Sequence, residues 1–208
     1  MSVGMADTIA PAIVAVIARS PLGAETAEPV VIASGHGIEV LERPFTVQID
    51  VRVDPTPEIV GQVSKALHVP LPTSPNRVGA TGSTRALWLS PDEWLIVAKP
   101  GDSLSLARKA RAAVEPFAGA VVDVSAHRTL LELRGRAVRD LLARGCSLDL
   151  HPRAFPPDAC AQTTLARVDV ILFHLGKDAF GVFVRASFAA YLVAWLRDAI
   201  EGMGEGDR

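Results

Sequence analysis

The chain has 208 residues, a formal charge of −2 and 49% hydrophobic residues. That length suits one large domain or two small ones with a sizeable core. Charges of both signs are mixed without a lysine- or arginine-rich run, which excludes the basic footprint of a nucleic-acid binder and a polybasic membrane patch.

Residues 1–44 carry weak signals and read as an N-terminal arm. The apolar run Ile9–Ala18 is too short to span a bilayer as a helix, which takes roughly 20 residues. Asp7 precedes it and Arg19 follows it, so an arm or strand fits better than an export signal. Short strands are expected at Val30–Ala33 and Gly37–Leu41. Cys146 and Cys160 are the only cysteines, too few for a secreted disulfide framework, so a reduced, cytoplasmic protein is expected.

From Phe45 to Val53 apolar and polar residues alternate, the period of a half-buried strand. Ile59, Val63 and Leu67 then recur every four residues, as on one helix face. A proline-rich stretch follows, and Gly79–Thr84 reads as a flexible loop. Arg85–Leu89 and Glu93–Ala98 are strands joined tightly through Ser90-Pro91-Asp92. Leu106, Ala110, Ala113, Val114 and Phe117 form a helical stripe capped by Asp102 or Ser103, and Ala120–Val124 is a short strand. The order βαββαβ is the split, ferredoxin-like arrangement.

Residues 126–200 run the same course. Thr129–Leu133 is a strand, and Arg136–Arg144 a short helix with Gly145 at the C-cap glycine position. Thr164–His174 and Ala179–Arg185 form a hairpin turning at Gly176-Lys177-Asp178. Ser187 caps a last helix whose apolar face is Phe188, Tyr191, Leu192, Trp195, Leu196 and Ala199. The tail 201–208 is too polar and glycine-rich for a sixth strand. Either the N-terminal segment fills that edge or the edge is left for a partner. The fold class is α+β, with two ferredoxin-like halves at 45–125 and 126–200, a preceding arm and a flexible tail.

Between the halves' elements lies GCSLDLHPRAFPPDACAQT, residues 145–163, the densest cluster of reactive side chains in the chain. Zinc is one reading, through Cys146, His151 and Cys160 with His174 or His127 as a fourth ligand. Four residues separate Cys146 from His151 and eight separate His151 from Cys160, not the tight chelate spacing of structural sites. A thiol nucleophile at Cys146 needs a base, and nothing local orients His151 for that. Asp123, Asp149 and Asp158 do not pair at a helical or strand spacing, and no phosphate-cradling motif stands at a strand–helix junction. No catalytic, cofactor-binding or metal residue is therefore assigned. Hydrophobic surface remains: Trp88 and Trp94 flank the 90–93 turn, and Leu148, Leu150, His151 and Phe155 belong to a proline-stiffened loop. These six are the candidate interface residues, with Phe155→Asp expected to impair assembly without unfolding.

Two blocks carry a family resemblance. LWLSPDEWL, residues 87–95, and CSLDLHPRAFPP with CAQT, residues 146–163, resemble signatures of the gamma subunit of heterotetrameric sarcosine oxidase. The likeness extends to Val122-Asp123-Val124-Ser125, to Phe188, Tyr191 and Trp195, and loosely to Arg19-Ser20-Pro21-Leu22. The resemblance implies the folate-binding fold of glycine-cleavage T-proteins. It also implies a complex that demethylates sarcosine to glycine and passes the one-carbon unit to tetrahydrofolate. FAD, FMN, NAD and zinc would then sit on alpha, beta and delta subunits, with none in this chain. An Asn-Asp pair of the T-proteins is missing at Arg144–Asp149, so no folate acid is carried over. The alternative is a free-standing folate-dependent one-carbon transferase with Asp149 or Asp123 as its acid.

Overall fold

The structure, a computed structural model, describes residues 18–101 and 103–204. The apolar run at 9–17, the capping candidate Asp102 and residues 205–208 lie outside the described residues. The elements are β1 (Val30–Gly35), β2 (Ile38–Arg43), β3 (Val47–Arg52), α1 (Pro57–Leu67), β4 (Val78–Thr81), β5 (Thr84–Ser90), β6 (Glu93–Ala98), α2 (Ser103–Val114) and β7 (Ala120–Asp123). There follow β8 (Arg128–Arg134), α3 (Val138–Ala143), β9 (Cys160–Leu165), β10 (Val168–Gly176), β11 (Ala179–Arg185), a 3₁₀ turn at Ala186–Phe188 and α4 (Ala189–Glu201).

They build two antiparallel sheets, in the orders β4-β5-β6-β3-β7 and β1-β2-β8-β11-β10-β9. In the first, β7-β3-β6-β5 is the split βαββαβ arrangement, with β4 added outside β5. The second repeats it: β8, β10 and β11 take the places of β3, β5 and β6, and β9 lies outside β10 as β4 lies outside β5. The sixth strand is β2, which pairs antiparallel with β8 as β7 does with β3. The N-terminal segment thus fills the edge that the polar tail cannot. It is also tied down ahead of β1. Ser20 Oγ donates to the fully buried Glu42 carboxylate at 2.9 Å, and Thr129 Oγ1 donates to its other oxygen at 2.8 Å.

Strand alternation gives each sheet two apolar faces. Val47, Ile49 and Val51 pack against Val60, Val63 and Leu67 of α1 and Ala107, Ala110 and Val114 of α2. Leu131, Leu133, Val182 and Val184 pack against α3 and α4. The other faces meet each other, Leu87, Leu89, Leu95 and Val97 against Leu130, Ile171, Phe173 and Phe183. The helices therefore lie outside and the sheets inside. Each such side chain contributes about 1.5–3 kcal/mol on burial. Where the sheets meet, Phe173 stacks on Phe183 with ring centroids 5.6 Å apart, and Gly181 makes room: a Cβ there would lie 2.2 Å from the Phe173 ring.

Several local expectations change. Residues 78–84 form β4 and a tight turn at Gly82 rather than a flexible loop, because the partner strand β5 supplies the pairing. β3 starts at Val47, since Phe45 sits in the left-handed region. The long strand 164–174 is two strands folded at Ala166-Arg167, both with positive φ. Gly145 is not a left-handed cap. Instead its missing Cβ admits the Trp195 ring, which a side chain would approach to 2.6 Å. Ser187 sits inside the 3₁₀ turn and caps nothing, and Phe188 and Tyr191 stay largely exposed.

Candidate functional site

The 145–159 connection is an ordered seam between the two halves. α3 packs Val138, Leu141 and Leu142 into its core and sends Arg139 across the connection. Arg139 donates to the Leu150 carbonyl, lies 3.1 Å from His174 Nε2 and stacks its guanidinium 4.9 Å above the Phe180 ring. His174 meets Phe180 edge-on at 4.8 Å, and Phe155 stacks on the same ring at 6.1 Å. Burial, then the Arg139 charge, hold the His174 imidazole below its ordinary pKa against a weaker pull from Asp178. A neutral His174 is therefore the form this packing selects.

The tip of the connection is closed by short-range bonds that its sequence dictates. Asp149 accepts from the His151 amide at 2.9 Å, an Asx turn, and His151 Nδ1 accepts from the Arg153 amide at 3.2 Å. The Phe155 amide donates back to the His151 carbonyl. On the far side, Val78 and Cys160 exchange backbone bonds with Asp158 and Asn76, and Arg77 pairs with Asp158 at 2.8 Å. Gln162 Nε2 reaches the Leu89 carbonyl at 2.8 Å. The seam thereby joins β9 to the β4–β5 hairpin.

The six interface candidates do not share one environment. Trp94 is fully buried in the core under α1 and α2, its indole N–H bonded to the Pro72 carbonyl at 2.8 Å. Leu150 and Phe155 are buried in the core under α3 and α4. Trp88 and Leu148 are half-buried, and His151 is exposed with Pro152, Arg153 and Ala154 beside it. Trp88 Nε1–H is a buried donor without an acceptor among the described residues, a deficit of about 1–3 kcal/mol. Phe155→Asp would place a charge in a core, so its effect on assembly would come through unfolding.

The ligand-type side chains are parted by the sheet. Cys146 packs on its outer, helix-covered face beside Thr163, and Cys160 packs between the sheets with its thiol toward the Arg77 and Trp88 carbonyls. Burial pushes the Cys160 thiol up to about 11, far from a thiolate at neutral pH. Among the described residues no three His, Cys, Asp or Glu side chains gather as a metal group. Asp123 is occupied as a turn acceptor, taking the Ser125 amide at 3.0 Å and the Ser125 hydroxyl at 2.6 Å. Burial raises its carboxyl, and the bonds from Ser125 and Ser103 together carry it below the ordinary value. Ser125 also accepts from the Gln48 amide, so this block fixes the crossover between halves.

A second polar region escaped the sequence reading. At one end of the gap between the sheets stand Asp50, Arg52 and Glu93 opposite Arg128 and Arg185. Burial, with the Glu93 carboxyl hydrogen-bonded beside it, pushes Asp50 up to about 6. Alternation marks these residues only as the polar side of strands, and their meeting depends on how the sheets stack. None of the described helices is long and apolar enough to cross a membrane.

Residues 52–201 match the model of the sarcosine oxidase, gamma subunit family. The sarcosine oxidase subunit gamma of an Arthrobacter species is 39% identical over 184 residues, 88% of this chain and 89% of that protein. Its counterpart in Corynebacterium strain P-1 is 37% identical over 186 residues, 88% and 90% of the two chains. Among solved structures, a chain of the heterotetrameric sarcosine oxidase from Corynebacterium strain U-96, in complex with pyrrole 2-carboxylate, superposes with a TM-score of 0.76 at 33% identity, covering 83% of this chain and 88% of that one. The glycine cleavage system aminomethyltransferase T of Bartonella henselae shares the fold, with a TM-score of 0.59 at 16% identity over 78% of this chain and 46% of that one.

Proposed function

The chain belongs to the sarcosine oxidase gamma subunit family, and from that membership we propose that it is the gamma subunit of a heterotetrameric complex that oxidatively demethylates sarcosine to glycine. The likeness to full-length gamma subunits across both halves is the observation that carries this reading. In it the alpha, beta and delta subunits supply FAD, FMN, NAD, zinc and the tetrahydrofolate that takes up the one-carbon unit. This cytoplasmic chain is a structural and assembly subunit without a catalytic centre of its own.

The chemistry of its own residues supports that division. The Cys160 thiol is buried and protonated, and Asp123 and Asp149 hold turns rather than face a substrate. The surface offered to a partner is the exposed tip His151–Ala154, with Leu148 half-buried beside it. Phe155, Leu150 and Arg139 seat that tip from beneath. Rigid seating lowers the entropy lost on association, which suits a loop with three prolines.

Affinity purification of the tagged chain from its native cells, with partners identified by mass, tests the reading. Three co-purifying subunits, one of them a flavoprotein, are the expected result. Recovery of the chain alone, with saturable tetrahydrofolate binding, would instead identify a free-standing folate-dependent transferase.

A further inference from the structure

Arg128 and Arg185 stand directly opposite each other on β8 and β11. Two residues further along the same face, Leu130 and Phe183 enter the core between the sheets, so strand alternation turns both guanidinium side chains toward the other sheet. Like charges directly opposite in an antiparallel pair are destabilising. Among the described residues neither guanidinium lies within ion-pair distance of a carboxylate, whereas Arg19, Arg43, Arg52, Arg77 and Arg134 all do. Among the described residues the Arg128 guanidinium has one hydrogen-bond contact, to His127 Nδ1 at 3.2 Å. No ion pair at contact distance offsets the repulsion.

A cleft of about 340 Å³ opens over the pair, lined also by Gln162, Thr163, Thr164 and Asp169. From the five-stranded sheet Asp50 and Glu93 act on Arg128 at longer range, and Glu93 is already engaged by Arg52 at 2.7 Å. We propose that this cleft is a binding site for a small oxyanion, a carboxylate or phosphate group held between the Arg128 and Arg185 guanidinium groups. Two planar donor forks from adjacent strands suit such a group, and the Thr164 hydroxyl adds a neutral donor on the same face. Asp169 belongs to the same row, on β10 between Arg185 and its own cross-strand partner Thr164, and its charge disfavours a bare polyanion, so a singly charged oxyanion carrying its own donor fits best. The group comes either from a free metabolite or from an acidic side chain of a partner subunit.

The test is thermal unfolding and calorimetric titration of the full chain with inorganic phosphate, acetate and glycine, against chloride at matched ionic strength. Wild type, Arg185→Gln and Arg128→Gln are compared. Saturable stabilisation by at least one oxyanion is expected, weakened tenfold or more in either variant. If a partner's carboxylate fills the cleft, the oxyanion response is present in the free chain and lost in the purified complex. If a free metabolite fills it, the response persists there. Stabilisation no greater than with chloride, or equal in wild type and Arg185→Gln, would overturn the proposal.

Discussion

Replacing Phe155 with alanine separates the seating of the 145–159 seam from its exposed tip. The side chain is 5% exposed and stacks on Phe180, which Arg139 and His174 also contact. Removing a buried phenylalanine ring costs about 3–5 kcal/mol, of which the aromatic pair accounts for about 0.5–1.5 kcal/mol. For a chain of this size that corresponds to a melting temperature lower by about 6–20 °C. Urea and thermal unfolding, followed by circular dichroism, measure it directly. Arg153→Glu is the companion: an exposed tip residue whose exchange is expected to leave the urea midpoint unchanged but weaken capture of partner subunits. A Phe155→Ala variant within about 1 kcal/mol of wild type would refute the reasoning, because the ring would then not belong to the core.

Asp50→Asn is expected to stabilise the chain at pH 8 and to lose that advantage as pH falls below about 6. The folded carboxyl titrates near 6 against an ordinary 3.8, so its contribution favours the fold at low pH and disappears as pH rises through 6; urea midpoints across pH 5–8 check it. For His174 the sign is the reverse. Its folded pKa lies below the ordinary 6.5, so the unfolded chain takes up the proton first and stability declines as pH drops below about 6.5. His174→Gln should flatten that decline between pH 7.5 and 5.5. Gly181→Ala pushes a methyl into the Phe173 ring, and the overpacking is expected to cost about 1–3 kcal/mol in equilibrium unfolding.

Periodicity made the strand–helix order of the first half legible, because Val47, Ile49 and Val51 face the helices and Thr46, Gln48 and Asp50 do not. It failed at Ala166-Arg167, where the chain makes a turn with two positive φ values but carries neither glycine nor asparagine to mark it. β4 was hidden for the opposite reason: its glycine and small residues advertise flexibility, while Gly79 serves close packing on the Pro70 backbone. The role of β2 as sixth strand follows from pairing across about ninety positions, which no local pattern encodes. At the seam, the residue order drew attention to the right segment, yet composition could not separate Phe155 and Leu150, which face inward, from His151 and Arg153, which face out. The Arg128–Arg185 cleft was invisible because it exists only once β8 and β11 are in register.

The proposed place of this chain inside a flavin-dependent sarcosine-oxidising assembly can be tested directly. The most direct measurement is the visible absorption of material purified through a tag on this chain, recorded anaerobically before and after adding sarcosine. A yellow eluate is expected, whose flavin absorbance bleaches on addition of sarcosine and returns with oxygen. A colourless eluate, or a flavin band that sarcosine leaves unchanged, would contradict it.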